Sequence, residues 1–421
     1  MKSLKSMIII AFSCLAIMLF TSSNLDENKK YAELWLKVEK FENDGLPKSA
    51  LEVVNQIYTL AKSENNSPQI IKAVIHKLKF KEQTEDHVFM ELLKEVDSQI
   101  EQNEFPATNL LHYIKGNLYW QYYQNNRWNI LDNKTTQDSN TDDVSNWSAE
   151  KFILKSSTHY LKSLEQETQL KQIPIQDFHD ILINGNSENL RPTLYDFLIF
   201  EAIEFFSDQE ISLVKAADQF SINNSNYFLP AKEFSVISII TKDTLSFQYK
   251  VVQLYQQLLH FRLNENNKNA LLHADLERLK FIYSKAIMKE KDELFITQLE
   301  NLKDEFNAID DVSDVYYELA QIYRYKASLY DQSDENLKTY RWMNVKALEY
   351  INAAKEKFKD ADGTKRCLNL ENEITRPFLN LISEEVYLPN TAFPVRIEFQ
   401  NIKKSSLHIY KTSFHQLKKE E

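Results

Sequence analysis

Residues 31–61 read YAELWLKVEKFENDGLPKSALEVVNQIYTLA, and this stretch decides the fold class. Tyr31, Leu34, Trp35, Val38 and Phe41 recur at steps of three and four residues, which places them on one face of a helix. The run stops at Asn43-Asp44-Gly45. Gly45 suits a left-handed C-terminal cap, and Pro47 suits the first turn of a second helix, whose stripe is Ala50, Val53, Val54, Ile57, Leu60 and Ala61. Two amphipathic helices with so short a link bury their stripes against each other, so the expectation is an antiparallel hairpin.

The same period extends outward. Ser67-Pro68 reads as an N-cap with proline at the first helical position, opening a helix with Ile71, Val74, Ile75 and Leu78 inward. Phe89, Leu92, Leu93, Val96 and Ile100 continue the pattern. After Pro106 come Leu110, Leu111, Ile114, Leu118 and Tyr119, and Trp120, Tyr122 and Tyr123 widen that face; an aromatic stripe at helical spacing is read as core. Residues 133–145 (NKTTQDSNTDDVS) have Val144 as their only aliphatic hydrophobe, so a mobile loop is expected between a first helical block, 26–132, and a second, 146–362. Within the second block, helical spacing marks Phe152 to Leu164 and Leu194 to Phe206. It returns in Val252, Tyr255 and Leu259, in Leu276, Leu279, Tyr283 and Ile287, in Phe295 to Ile309, in Tyr316 to Leu329 and in Tyr340 to Phe358. Gln172 to Asn189 and Ser221 to Ser246 are less regular, and there Val236 to Ile240 is β-branched enough for a short strand, with a buried helix segment equally admissible. Gly116-x-x-Tyr119, Ala320-x-x-Tyr323 and Ala354-x-x-x-Phe358 are spacings of tetratricopeptide type, but no fixed 34-residue period survives. The fold expected is therefore mostly α: irregular, stacked antiparallel helix hairpins, an architecture that presents a concave face to a polypeptide.

After Asp360-Ala361-Asp362-Gly363 the period changes. Leu379 to Leu388 reads as a strand, Val395 to Phe399 alternates apolar and polar residues, and Leu407 to Tyr410 reads as a third strand. A β domain over residues 376–421 with three strands is too small to close a sandwich, so it reads as incomplete.

Composition narrows the function classes. Of 421 residues, 43% are hydrophobic and only 4 are Gly, which excludes collagen-like and wholly disordered chains and argues against Gly-rich phosphate loops and dinucleotide fingerprints. The net charge of −11, without a basic run, argues against nucleic acid as a partner. Met1 to Ser23 has the order of a secretory signal peptide: Lys2 and Lys5, then MIIIAFSCLAIMLF, then Thr21-Ser22-Ser23. As a helix those 14 apolar residues reach about 21 Å, short of the roughly 30 Å hydrocarbon core, so export to the periplasm or cell envelope is expected over a stable span. Cys14, preceded by Ala11-Phe12-Ser13, is a poor lipobox, and any membrane tie is confined to this N-terminus. Cleavage near Ser23 leaves Cys367 alone, and no intramolecular disulfide.

Gly363-Thr-Lys-Arg-Cys-Leu-Asn-Leu-Glu-Asn-Glu-Ile374, then Pro377-Phe-Leu-Asn-Leu-Ile-Ser-Glu-Glu-Val-Tyr-Leu-Pro389 and Phe393-Pro-Val-Arg-Ile-Glu-Phe399, resembles the start of the first macroglobulin domain in large alpha-2-macroglobulin family proteins of Bacteroidetes-type bacteria. Gly45-Leu-Pro-Lys-Ser-Ala-Leu-Glu-Val-Val54 and Asn65-Asn-Ser-Pro-Gln-Ile-Ile-Lys72 resemble the helical region that precedes it. The resemblance implies an exported protease trap, in which cleavage of a bait segment rearranges the macroglobulin domains and a reactive thioester captures the attacker. It also implies that proteases or envelope proteins are the partners, and that Glu421 falls inside the first β domain. The motifs carry no catalytic residue. The family's Cys-Gly-Glu-Gln is missing, since neither Cys14 nor Cys367 precedes glycine, so no thioester residue carries over.

Other chemistry finds no residue set, and the chain is not expected to be an enzyme or to hold a cofactor or metal. The 9 histidines form no His-Glu-x-x-His or His-x-x-x-His pair. Ser212-Leu-Val-Lys215 matches Ser-x-x-Lys without the companion motifs of acyl-serine enzymes. Glu384 and Glu385 are strand neighbours that point to opposite faces, and His179-Asp180 lacks a nucleophile. A free-standing helical adaptor that binds a protein or peptide is the alternative to the trap scaffold.

Overall fold

The computed structural model describes residues 27–84, 89–132, 144–179, 181–182, 188–208, 219–384, 386–388 and 391–408. The signal segment with Cys14, most of the 133–145 loop, Ser212–Lys215, Asp180, Glu385 and the chain beyond His408 lie outside them. Fifteen α-helices and two antiparallel strands make up the described chain, which divides into two compact units, residues 1–298 and 299–421.

The first unit opens on the expected hairpin, α1 (Glu27–Asn43) and α2 (Pro47–Glu64). Gly45 has φ +71°, Leu46 N–H donates to Phe41 C=O at 2.8 Å and Gly45 N–H to Glu42 C=O at 3.0 Å. Those two bonds satisfy the last carbonyls of α1 and turn the chain, which only a residue tolerant of positive φ allows. Pro47 opens α2, and Tyr31, Val38, Ala50, Val54 and Ile57 meet in one core. The third helix, α3 (Ser67–Thr84), is capped one residue earlier than expected: Asn66 Oδ1 accepts from Gln69 N–H at 3.2 Å, because an Asn carbonyl reaches the open N–H groups of the first turn as well as a serine hydroxyl does. Then follow α4 (Phe89–Gln102), α5 (Ala107–Asp132), α6 (Ala149–Lys162), the short α7 (Glu167–Leu170) and α8 (Leu194–Ser207). α5 and α6 pack on each other at Gly116, where a Cβ would stand 3.1 Å from the Tyr160 ring and 3.3 Å from Ser156 O.

After α8 come the short α9 (Ala231–Phe234), then α10 (Phe247–Leu263), α11 (Lys268–Lys285) and α12 (Lys291–Glu305), which runs across the division. Val236–Ile240 is neither strand nor buried helix: Val236 and Ile240 are exposed on an irregular segment held from below by Gln256 Nε2, which donates to Phe234 O and Ile237 O. β-branched residues favour extended backbone, but a strand needs a partner, and among the described residues none pairs here. Ile287 also departs from expectation. α11 ends at Lys285, and Ile287 stands exposed while its N–H donates to Ile222 C=O at 3.0 Å.

In the second unit, α13 (Ser313–Ser328), α14 (Met343–Lys357) and α15 (Asp362–Thr375) pack together. The helical period persists past Gly363, with Cys367, Leu370 and Ile374 buried on one stripe of α15. Gly363 lies against the Ser313–Asp314 backbone, where a Cβ would overlap Asp314 N. The chain then enters β1 (Phe378–Ile382), paired antiparallel with β2 (Arg396–Gln400) in the register Phe378↔Gln400 to Ile382↔Arg396. β1 is shorter than the expected Leu379–Leu388 run. Of the expected third strand, Leu407 and His408 are not in a strand, and Ile409–Tyr410 lie outside the described residues.

Candidate functional site

A cavity of about 480 Å³ lies within the first unit, walled by α3, α5, α6 and α8. Its position follows from how α8 is fixed. LYDFLIFEAIEFFS is apolar on nearly every face and buried almost throughout, as expected of a helix at the centre of a helical body. Its N-terminus carries a reciprocal capping box: Asp196 N–H donates to Thr193 Oγ1 and Thr193 N–H to Asp196 Oδ2 at 2.9 Å. Asp196 is itself 1% exposed and accepts Arg262 Nε at 3.0 Å and Nη2 at 2.7 Å. That bidentate pair ties α8 to α10 and leaves neither buried charge alone.

So held, α8 turns Glu201 and Glu204, and Asp208 just beyond it, toward the cavity, because residues three and seven apart share a helix face. Tyr113 and Trp120 from α5, Tyr160 from α6 and Phe197 and Phe205 from α8 supply aromatic walls. Tyr160 stacks on Phe205 with centroids 4.5 Å apart, and Tyr113 meets Phe197 edge-on at 5.3 Å. The Tyr113 hydroxyl donates to Glu201 Oε2 at 2.8 Å. Burial raises the Glu201 pKa, and the neighbouring Glu204 raises it further, against the Tyr113 bond and the Arg191 charge, which lower it. Arg191 also lines the cavity, but its guanidinium lies 3.9 Å from the Phe200 ring centroid and its Nε donates to His273 Nε2 at 3.2 Å.

A second polar cluster joins α5 to α6, where His112 Nδ1 and His159 Nδ1 are 3.0 Å apart. Burial holds both rings below the usual histidine range, to about 4 and about 3, with nearby lysines acting in the same direction. Two nitrogens at that distance share one proton between neutral rings, which is a packing contact with no substrate space assigned to it. Among the described residues no three potential metal-ligating side chains come together.

Among the described residues, the motifs singled out in the sequence are not brought together. His179 stands 3.4 Å from Glu188, while Asp180 and the Ser212–Lys215 pair lie outside the described residues. Glu384 is exposed. Cys367 is buried in α15, where loss of hydration pushes its thiol up to about 12, far from a reactive thiolate. Trp120, Tyr123 and Tyr160 are core residues that also border the cavity or its walls. The signal for the site was Glu201 and Glu204 at i and i+3, which break the apolar run of α8 after its capping Asp196, with Asp208 just beyond its end.

At the C-terminal end the hairpin offers a different kind of surface. The register puts Leu379, Leu381, Ile397 and Phe399 on one face, and their exposures run from 44% to 67%. The opposite face carries Asn380, Arg396, Glu398 and Gln400 beside Phe378 and Ile382. No protein-family model, curated protein or solved structure matches this chain.

Proposed function

We propose that this chain is the helical scaffold of an exported alpha-2-macroglobulin-like protein, in which the helices carry and position a β domain built on the β1–β2 hairpin. The observation that carries this reading is the hairpin's apolar face. Four large hydrophobic side chains in register, together with Phe393 and Leu388 nearby, are exposed. An isolated two-stranded hairpin is marginal in water, and an apolar face of this kind is ordinarily covered by a second sheet. In this role the chain contributes placement and protein contacts to protease trapping, and bond-making chemistry is supplied by bait and thioester regions that these residues do not contain.

The test is the size of the native polypeptide in envelope fractions of the source cells, detected with an antibody raised against residues 31–131. A species several times larger than 49.7 kDa is expected. A species at or below that mass overturns the scaffold reading and leaves a free-standing helical adaptor, for which the acidic cavity of the first unit is the place to look.

A further inference from the structure

We propose that the cavity between α5, α6 and α8 is a binding site for a protonated alkylamine, its ammonium group held between Glu201 and Glu204 and its carbon chain against Tyr113, Trp120 and Tyr160. This site belongs to the first unit and stands independently of the hairpin reading.

Three observations converge. First, Glu201 is poorly compensated. It has one neutral partner, the Tyr113 phenol, while Glu204 stands exposed at the rim of the cavity. Arg191, a cation in the lining, lies on the Phe200 ring and bonds His273, and its charge offsets only part of the rise that burial and Glu204 impose on Glu201. Burial, and then the charge of Glu204 one turn away, raise the cost of ionising Glu201, and a bound cation removes that cost.

Second, the cavity holds unused polar groups on buried side chains. Tyr160 is 4% exposed and Trp120 8%; both line the cavity, and neither the phenol hydroxyl nor the indole N–H has a hydrogen-bond partner among the described residues. The Tyr160 phenol is close enough to Glu201 and Glu204 for both carboxylates to raise its pKa. On side chains this buried, a phenol and an indole that spend no hydrogen bond within the protein leave donors for a polar ligand group in the cavity.

Third, the walls suit an organic cation better than a metal ion. A hard divalent ion needs six or more oxygen ligands, and no group of three candidate ligands is assembled among the described residues. An ammonium on an alkyl chain needs carboxylates at one end, aromatic faces around it and apolar walls behind, which is what Tyr113, Tyr160, Phe197 and Ile114 provide. A lysine side chain of a bound polypeptide and a free polyamine share this chemistry.

Calorimetric titration of the full chain at pH 7.5 and low salt, with spermidine in one arm and N-acetyl-lysine methylamide in the other, tests the proposal. Saturable binding of at least one is expected, weakening with added salt and at least tenfold weaker in the E201Q/E204Q double variant. E150Q, on the exposed side of α6, serves as a control with unchanged binding. Stronger binding of spermidine identifies a free polyamine as the ligand type, and stronger binding of the lysine analogue identifies a polypeptide side chain. Binding of neither amine, or equal binding by wild type and the double variant, overturns the proposal. Should the double variant fail to fold, the single variant E201Q keeps an oxygen for the Tyr113 hydroxyl, and an undiminished affinity there is equally fatal.

Discussion

Replacing Arg262 with methionine separates what packing does for α8 from what charge pairing does. Methionine keeps most of the aliphatic stem and removes only the guanidinium, so Asp196 loses the bonds it accepts from Nε and Nη2. What remains to it is Thr193, whose N–H and hydroxyl donate at 2.9 and 2.7 Å. A carboxylate left 1% exposed without its cation costs about 3–5 kcal/mol. The expected outcome is a loss of that size in urea unfolding monitored by far-UV circular dichroism, with amide exchange in α8 and α10 accelerating together. Adding D196N to R262M removes the stranded charge while Asn retains a cap acceptor, and about half of the loss is expected to return, a coupling readable as a double-mutant cycle. A loss below about 1 kcal/mol in R262M, with no recovery in the double variant, would refute the assignment of α8's placement to this pair.

Three further outcomes follow from named contacts. His76 is buried between Trp35 and Phe80, and burial, then Lys79 and Lys72, lower its pKa to about 3. The unfolded chain therefore takes up a proton below about pH 6.5 that the folded chain refuses, so stability falls with pH. At pH 5 the deficit is about 2 kcal/mol, and H76L is expected to abolish that part of the slope; an imidazole resonance titrating near pH 6.5 in the native protein contradicts this. Gly363→Ala forces a methyl into the Ser313–Asp314 backbone and is expected to cost about 3 kcal/mol, seen as lost exchange protection in α13 and α15, whereas unchanged protection would mean α15 shifts freely. The peptide containing Cys367 should resist alkylation at pH 8 until the protein is unfolded, since burial keeps its thiol protonated; rapid native labelling would show that α15 opens readily.

Local signals were legible in the sequence, and long-range pairing was not. The α1–α2 hairpin is written into residues 31–61, because Gly45 and Pro47 fix the turn whatever surrounds it. Val236 to Ile240 misled because β propensity describes a fit to a half-buried sheet, and no neighbouring strand meets it. Ile287 misled because an apolar residue in phase with a stripe is buried only while the helix lasts, and α11 stops two residues before it. The cavity stayed hidden for a different reason. Tyr113 and Glu201 are 88 positions apart, and Asp196 and Arg262 are 66 apart; no periodicity brings such pairs together. Only the acids interrupting the apolar run of α8 pointed there, and spacing alone reads them as a solvated face.

The contrast between Asp196 and Glu201, both on α8, bears on what the cavity is for. Burial raises the pKa of both acids. Asp196 is answered by a guanidinium in bidentate geometry, so its charge is paired within the fold, whereas Glu201 bonds only a phenol, is opposed by Glu204 and feels Arg191 without a direct bond, so its charge is the less well answered. Glutamine at position 201 keeps an oxygen for the Tyr113 hydroxyl and removes the repulsion. E201Q is therefore expected to stabilise the chain by about 0.5–2 kcal/mol at pH 8. The sign with pH is also fixed. A carboxylate whose folded-state pKa is raised gives the wild type added stability as pH falls through that value, so the advantage of E201Q shrinks toward low pH. If E201Q is instead destabilised at every pH, Glu201 is a structural acid like Asp196, and the cavity has no claim to a cationic ligand. A variant that is more stable yet binds amine at least tenfold more weakly would show a carboxylate kept at the expense of the fold, which is how a binding residue differs from a packing one.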